Sequence, residues 1–145
     1  MPIVNKDEIL YSWLIAGFET AYPTTFEFLQ MFEHQRAVVP MSDVRAVRPY
    51  INGDAVKQYD FMLQLAFSVS DDIGSTKNID NMFAARKWQA WIDEQQQLGN
   101  YPDFGEKCSQ YKLENLSNMP TMAGRQEDGM AKYQFPARLT YLEVR

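Results

Sequence analysis

Cysteine and histidine are almost absent from this chain of 145 residues, which contains one of each, Cys108 and His34. A single cysteine excludes an internal disulfide and any metal site built from several cysteines. A single histidine excludes the paired-histidine spacings of zinc enzymes. We therefore expect a reducing compartment, no metal and no cofactor, with Cys108 a buried structural residue and His34 a surface or loop residue.

Basic clusters and long hydrophobic runs are also missing. The net charge is −5 and Lys and Arg form no block, so sequence-specific nucleic-acid binding is not expected, since it relies on clustered cations at phosphates. The apolar runs are far shorter than the roughly 18 residues of a membrane span. The N-terminus lacks the basic start and apolar core of a signal peptide. These features predict a protein that is not inserted in a membrane.

Catalytic motifs are not visible either. Neighbouring carboxylates occur at Asp71 and Asp72, at Asp93 and Glu94, and at residues 127–128, but general acid–base catalysis needs two carboxyls that face each other in a cleft. Residues 74–77 lack the glycine and lysine order of a phosphate-binding loop. A thiol–imidazole pair of the lone cysteine and histidine has no local support. We expect no enzymatic activity.

Aromatic residues, in contrast, are plentiful, with 3 Trp, 8 Tyr and 9 Phe, and predict one domain, residues 1–145, with a substantial core. From Tyr59 to Val69 every second residue is large and apolar, which predicts a strand over residues 57–69 with one buried face. Eleven residues extend about 35 Å, longer than most strands. Either this strand bends, or one end projects beyond the domain and is able to pair with another chain.

Two helices are predicted. The first spans residues 6–17, with Asn5 as N-cap and Gly17 as a plausible C-cap. The second spans residues 78–98, is capped by Asn78 or Asn81 and is stopped at Gly99. Its apolar stripe faces the long strand. The stripe consists of Ala84, Trp88, Trp91, Ile92, Gln95 and Leu98.

The remaining segments favour strands joined by turns. Residues 25–31 are read as a strand, although they also suit a helix, and residues 44–50 as extended but irregular. Pro136 suggests an edge position or a bulge, because it has no N–H for a sheet. Further strands are predicted at residues 37–39, 107–116 and 133–141, a turn at 52–54, and loops at 70–77 and 117–129. The fold class is α+β, an antiparallel or mixed sheet flanked by two helices on one face.

Several stretches together resemble a known family. They are residues 49–53, 57–61, 78–102 with Trp88 and Trp91, 128–134 and 137–141. In order and spacing they resemble the small tail-terminator proteins of long-tailed phages and prophages of Gram-positive bacteria, often labelled minor capsid or minor structural proteins. The resemblance covers about residues 45–145, and residues before that match only loosely.

This resemblance implies an α+β virion protein of the tail and neck, made in the host cytoplasm, without catalytic residues. Such proteins assemble as a homo-oligomeric ring, with a hexamer expected, on the end of the tail tube. Their partners are the tail tube protein and the head–tail connector protein, and DNA passes through the ring. An acidic lining would repel its phosphates. The alternatives are a head-completion or connector protein of the same virion, or a small-ligand-binding α+β domain.

Ring closure requires two different patches of the same chain to meet. We expect these patches in the 52–59 turn and strand start, the 70–77 loop and the 117–129 loop, because these segments are polar, long and placed at strand ends. The candidate interface residues are Asn52, Gly53, Tyr59, Asp71, Asp72, Met119, Met122 and Arg125.

Overall fold

The computed structural model describes residues 4–18, 23–41, 45–70, 74–126 and 128–145. In chain order the elements are α1 (Lys6–Gly17), β1 (Thr24–Phe26), β2 (Arg36–Pro40), β3 (Arg45–Pro49), β4 (Ala55–Ser68), α2 (Lys77–Leu98), β5 (Cys108–Asn115), β6 (Thr121–Arg125) and β7 (Met130–Glu143). The seven strands form one mixed sheet, in which only β1 and β2 run parallel. The α+β class with a mixed sheet and two helices is confirmed.

The two longest strands, β4 and β7, form the centre of the sheet. They pair antiparallel over 14 positions, from Ala55 opposite Glu143 to Ser68 opposite Met130. The outer side of β4 pairs with β3 at one end and with β2 further along. In the same way, β5 and β6 share the outer side of β7. Of the two alternatives for the long strand, the projecting end is therefore wrong, because partners within the chain use its whole length.

The alternation of the long strand is reproduced in its burial. Tyr59, Phe61, Leu63, Leu65 and Phe67 are at most 4 % exposed. Odd-numbered residues of β7 continue this buried face, and both helices cover it. The predicted packing of the tryptophan stripe on this face is confirmed, since Trp88, Trp91 and Ile92 belong to one buried cluster with the apolar residues of β4. The ring of Trp88 also lies 5.8 Å from Phe135 in β7.

Helix α1 has the predicted bounds and the predicted cap, since the Asn5 side chain accepts a hydrogen bond from the Glu8 amide at 3.1 Å. The C-cap prediction for Gly17 is wrong, because Gly17 ends the helix and the next residue, Phe18, is extended. Instead, Gly17 allows the two helices to pack closely. A Cβ at Gly17 would lie 2.5 Å from Cζ2 of Trp91, so the missing side chain lets α1 approach α2.

Helix α2 starts one residue earlier than predicted, after Thr76. Neither Asn78 nor Asn81 caps it. Both asparagines bond instead to the end of β4, where Asn78 bridges the amide and carbonyl of Ser70, and Asn81 donates to Ser68 at 2.8 Å. These hydrogen bonds fix the start of the helix over the sheet.

The far end of α2 agrees with the sequence in part. Gly99 is the left-handed C-cap, with φ +68°, as predicted. The tryptophan stripe is half-buried at Ala84 and buried from Trp88 to Gln95. Leu98 is 68 % exposed, so its assignment to the core is wrong. The stripe continues one turn beyond the part of the helix that the sheet covers.

Two short strands differ from expectation. The predicted strand 25–31 ends at Phe26, because Glu27 has φ +73° and turns the chain out of the sheet. Residues 44–50 include the regular strand β3, although its register shifts between Ala46 and Arg48, which accounts for the irregular pattern.

The predicted loop 117–129 contains a strand, β6, which pairs with β7. Every residue of β6 is exposed. Since neither of its faces is buried, its sequence carries no alternation of apolar and polar residues. This absence of alternation explains why pattern reasoning assigned the segment to a loop.

Pro136 lies in the central strand β7 and pairs opposite Met62 without a register shift, so the edge or bulge interpretation is wrong. Its carbonyl accepts from Leu116 at 3.0 Å, which shows that the polar groups of Pro136 face the side of β5 and β6. Neither strand pairs with β7 at this position, since β5 ends opposite Ala137 and β6 begins opposite Gln134. A missing N–H costs no ladder bond there.

The even-numbered face of β4 and β7 is not covered by either described helix. Its side chains are half-buried and pair across the two strands, as Gln64 does with Gln134 at 3.1 Å and Asp60 does with Arg138 at 2.7 Å.

None of the helices in the described part of the chain is long and apolar enough to cross a membrane.

Candidate functional site

The turn between β3 and β4 forms an exposed tip at one end of the sheet. Gly53 has φ +92°, a conformation that favours glycine. The Asn52 side chain accepts from the Asp54 amide at 3.1 Å, which is the local bond that stabilises such turns. Ile51 at the tip is fully exposed. The predicted turn is confirmed, and Asn52 and Gly53 lie where another chain is able to reach them.

Tyr59, the third residue proposed for this patch, lies in the core. Its side chain is 1 % exposed, and its hydroxyl donates to the Asp7 carboxylate in α1. Burial is the main cause that raises the pKa of the Tyr59 hydroxyl far above its ordinary value, and the hydrogen bond to Asp7 raises it further. In this conformation Tyr59 offers no surface to a partner, so its assignment to an interface is wrong. Of the interface patch predicted at residues 52–59, the exposed turn with Asn52 and Gly53 remains.

Asp71 and Asp72, proposed for the 70–77 patch, lie outside the described residues. Their assignment to an interface stays a prediction.

Strand β6 brings the third group of proposed residues to the surface. Met119, just before it, is 44 % exposed, and Met122 within it is 53 % exposed. Arg125 is its last residue. The outer edge of β6 has no strand partner within the described part of the chain. An exposed strand with a free edge is a template for pairing or docking.

A groove of about 600 Å³ separates β6 from the first half of α2. Met122 and Tyr133 form its β-sheet side, and Ile79, Met82 and Phe83 form its helix side. Ile79 is 70 % and Phe83 63 % exposed. We call these five residues the apolar groove, and Arg86 lies at its rim. The helix pattern did not reveal it, because Ile79 and Phe83 lie off the tryptophan stripe.

A second apolar surface follows β1 in the chain and lines a cavity with Gln64, Lys132 and the end of β6. Within residues 27–33, which we call the aromatic segment, Phe28 is 61 % and Phe32 is 68 % exposed. The segment is anchored to β4, since the Glu33 carboxylate accepts from the Ser68 amide at 2.7 Å. Sequence reasoning placed both phenylalanines in or near a strand, and their exposure is visible only in the fold.

A charged cluster lies at the end of the sheet beside the N-terminus of α1. The Glu143 carboxylate accepts hydrogen bonds from Lys6 at 2.8 Å and from Lys57 at 2.5 Å. Burial opposes ionisation of this carboxyl, but the hydrogen bonds from Lys57 and Lys6 outweigh it and lower the pKa of Glu143 to about 2. Sequence reasoning missed this cluster because its members are far apart in the chain.

Cys108 lies at the same cluster and contacts Glu143 at 3.4 Å. Burial, together with the neighbouring carboxylate, raises the pKa of the Cys108 thiol to about 11. At neutral pH this sulfur is a thiol and a poor nucleophile. The expectation of a buried, structural cysteine is confirmed.

His34 lies far from this cysteine. Its ring contacts Phe67 at 5.6 Å, and its amide bonds to Ala66. Ala66 pairs with Lys132, whereas Cys108 pairs with Glu143, eleven residues further along β7 and roughly 36 Å away. The thiol–imidazole pair is therefore not formed. Among the described residues, no three His, Cys, Asp or Glu side chains group as metal ligands.

The described surface thus offers a turn tip at one end of the sheet and two unlike apolar surfaces, the apolar groove and the aromatic segment. No protein-family model matches this chain, and no curated protein matches it with significant similarity.

Proposed function

We propose that this chain is the tail terminator of a long-tailed phage or prophage of Gram-positive bacteria, a virion protein that caps the tail tube as a ring. It stops tube polymerisation and joins the tail to the head connector. Two supports carry this proposal. One is the resemblance of residues 45–145 to that family, and the other is the presence of two unlike apolar surfaces that the fold leaves exposed.

The exposed apolar surfaces are the observation on which the proposal rests most. The apolar groove lies between β6 and α2, and the aromatic segment, which follows β1, lines a separate cavity with Gln64, Lys132 and the end of β6. Surfaces of this kind are uncommon on monomers and mark contacts with other proteins. Because the two surfaces differ, self-association through them is head-to-tail, and such contacts close into rings when the rotation allows.

The functional test is the capping of tail tubes. The tube protein from the same virion is polymerised with and without this chain, and tube lengths and ends are recorded by electron microscopy. We expect ring-shaped density at one end of each tube and an arrest of growth from that end, because a ring seated on the tube covers the surface where the next tube ring would add.

An unrelated acidic protein of similar size serves as the control and is expected to leave tube lengths unchanged. Tubes that keep growing with bare ends in the presence of this chain would refute the proposal. Binding to the isolated head connector without any effect on tubes would assign the chain to head completion instead.

A further inference from the structure

Strand β6 leaves one edge of its backbone open beside the apolar groove. Its inner edge pairs with β7, and its outer edge pairs with no strand in the described part of the chain. All of its residues are exposed. The amides and carbonyls of such an edge are able to hydrogen-bond to an extended segment, which then adds to the sheet as a further strand.

The apolar groove lies on the face of the sheet that α2 covers. Met122 pairs opposite Tyr133, and both side chains line the groove. The aromatic segment of the same copy lines a different cavity, and among the described residues only Arg125 lines both. Because side chains of a strand alternate between the two faces, a strand added beside β6 directs every second side chain into the groove.

Helix α2 forms the other wall of the groove at a spacing that fits such a strand. In this region it runs along the first half of β7, since Asn81 bonds to the end of β4 and Gln89 bonds to Ser117, just after β5. Ile79 and Phe83, four residues apart, are separated by about 6 Å along the helix axis. Side chains on one face of a strand repeat at about 6.7 Å, so two successive side chains of the added strand meet Ile79 and Phe83 in turn.

The charges of the groove define the chemistry of the segment that fits it. Arg86 and Arg125 both line the groove, and none of its described lining residues is acidic. Both arginines are exposed. Because opposite charges at the margin of an interface select the partner and suppress other pairings, the segment that fits this groove carries carboxylates as well as apolar side chains.

We infer that another protein binds here through an extended acidic segment, which pairs with the outer edge of β6 and places every second side chain in the apolar groove. The backbone of the segment bonds to β6, its apolar side chains fill the groove, and its carboxylates contact the two arginines. The inference goes beyond the proposed function, because strand addition at β6 requires no ring.

The test measures, by fluorescence anisotropy, the binding of a labelled peptide to the full chain. The peptide has about six residues, the length of an ordinary strand, and valine alternates with glutamate in it. Phe83→Ser is expected to weaken binding at least about tenfold, because it removes an aromatic anchor. Leu98→Ser is the matched control, since Leu98 lies on the same helix, is 68 % exposed and does not line the groove. Arg86→Glu is expected to prefer a peptide with lysine in place of glutamate.

Methylation of backbone amides in the peptide is the decisive step, because it removes hydrogen-bond donors and leaves the side chains unchanged. Successive amides of a strand point to opposite edges, so two peptides are made, each methylated at the amides of one edge. We expect the peptide that is methylated at the edge facing β6 to lose at least about tenfold in affinity. The peptide that is methylated at the other edge is expected to bind like the parent.

Three results would overturn the inference. They are equal effects of the two methylation patterns, unchanged binding to the Phe83→Ser variant, and a parent peptide that does not bind at about 1 mM, where even millimolar affinities are populated. If the peptide does not bind and Phe83→Ser instead weakens self-association, the groove belongs to a second copy of this chain.

Failure of the functional proposal is distinct from these results. A chain that binds the peptide without capping tubes would leave the strand-binding site standing. A chain that caps tubes but does not bind the peptide would remove this site alone.

Discussion

Replacing Trp88 with alanine is expected to lower the free energy of unfolding by about 4 kcal/mol, the range measured for large aromatic residues in cores. Trp88 is 1 % exposed and joins three parts of the core. Its ring lies 5.8 Å from Phe135 in the sheet and 6.3 Å from Phe18 after α1, and the guanidinium of Arg36 lies 5.1 Å from it. Alanine removes all of these contacts and leaves a cavity.

Urea denaturation followed by far-ultraviolet circular dichroism measures this loss. Leu98→Ala is the matched control, because Leu98 belongs to the same helical stripe but is 68 % exposed, and we expect it to change stability by less than about 0.5 kcal/mol. A loss below about 1 kcal/mol for the tryptophan variant would contradict the packing of α2 on the β4–β7 face.

Glu143→Gln is expected to destabilise the protein by about 2 kcal/mol at pH 7, and this difference should fade in acid. The folded-state pKa of Glu143 is lowered from 4.5 to about 2, because Lys6 and Lys57 hold the carboxylate in its charged form. The resulting stabilisation is fully present above the unfolded pKa and disappears as pH falls through the folded pKa. The glutamine variant has no carboxylate and therefore lacks this stabilisation at every pH.

Urea denaturation at a series of pH values between 7 and 3 tests this prediction. The difference between the two proteins is expected to fall by about half at pH 3. Glu106→Gln serves as the control, because Glu106 is exposed near the same end of the sheet and accepts no side-chain hydrogen bond from a described lysine. A difference for the Glu143 variant that is constant across this range would show that the ion pairs with the two lysines contribute nothing.

The elements with one strongly buried face were predictable from the sequence. The long strand, the tryptophan-bearing helix and the last strand each keep their apolar period over many residues, and the structure places them within two or three residues of the predicted bounds. The cap at Asn5 and the stop at Gly99 were predictable for a different reason, since each depends on local backbone chemistry.

What the sequence could not predict depends on partners distant in the chain. Strand β6 exists only because β7 offers it a free side, and Pro136 is tolerated because neither β5 nor β6 pairs with β7 at that position. The bonds of Asn78 to the end of β4 likewise involve a tertiary contact that competes with helix capping. Local pattern reasoning has no access to strand order.

The candidate interfaces also divide into those with a local sequence signal and those that depend on residues distant in the chain. The turn at Asn52 and Gly53 was predicted because its signal is local, and the structure exposes it. The burial of Tyr59 and the exposure of the apolar groove and the aromatic segment became visible only with the fold. Alternation alone distinguishes a buried face from an exposed one, but it does not assign edges.

The mass and shape of the particle that the purified chain forms, measured by native mass spectrometry and electron microscopy, test the proposed ring most directly. The tail-terminator proposal, with its head-to-tail contact between unlike surfaces, predicts a closed ring, with six copies expected. A chain that is monomeric at every concentration, or a dimer that buries the same surface of both copies, would contradict it.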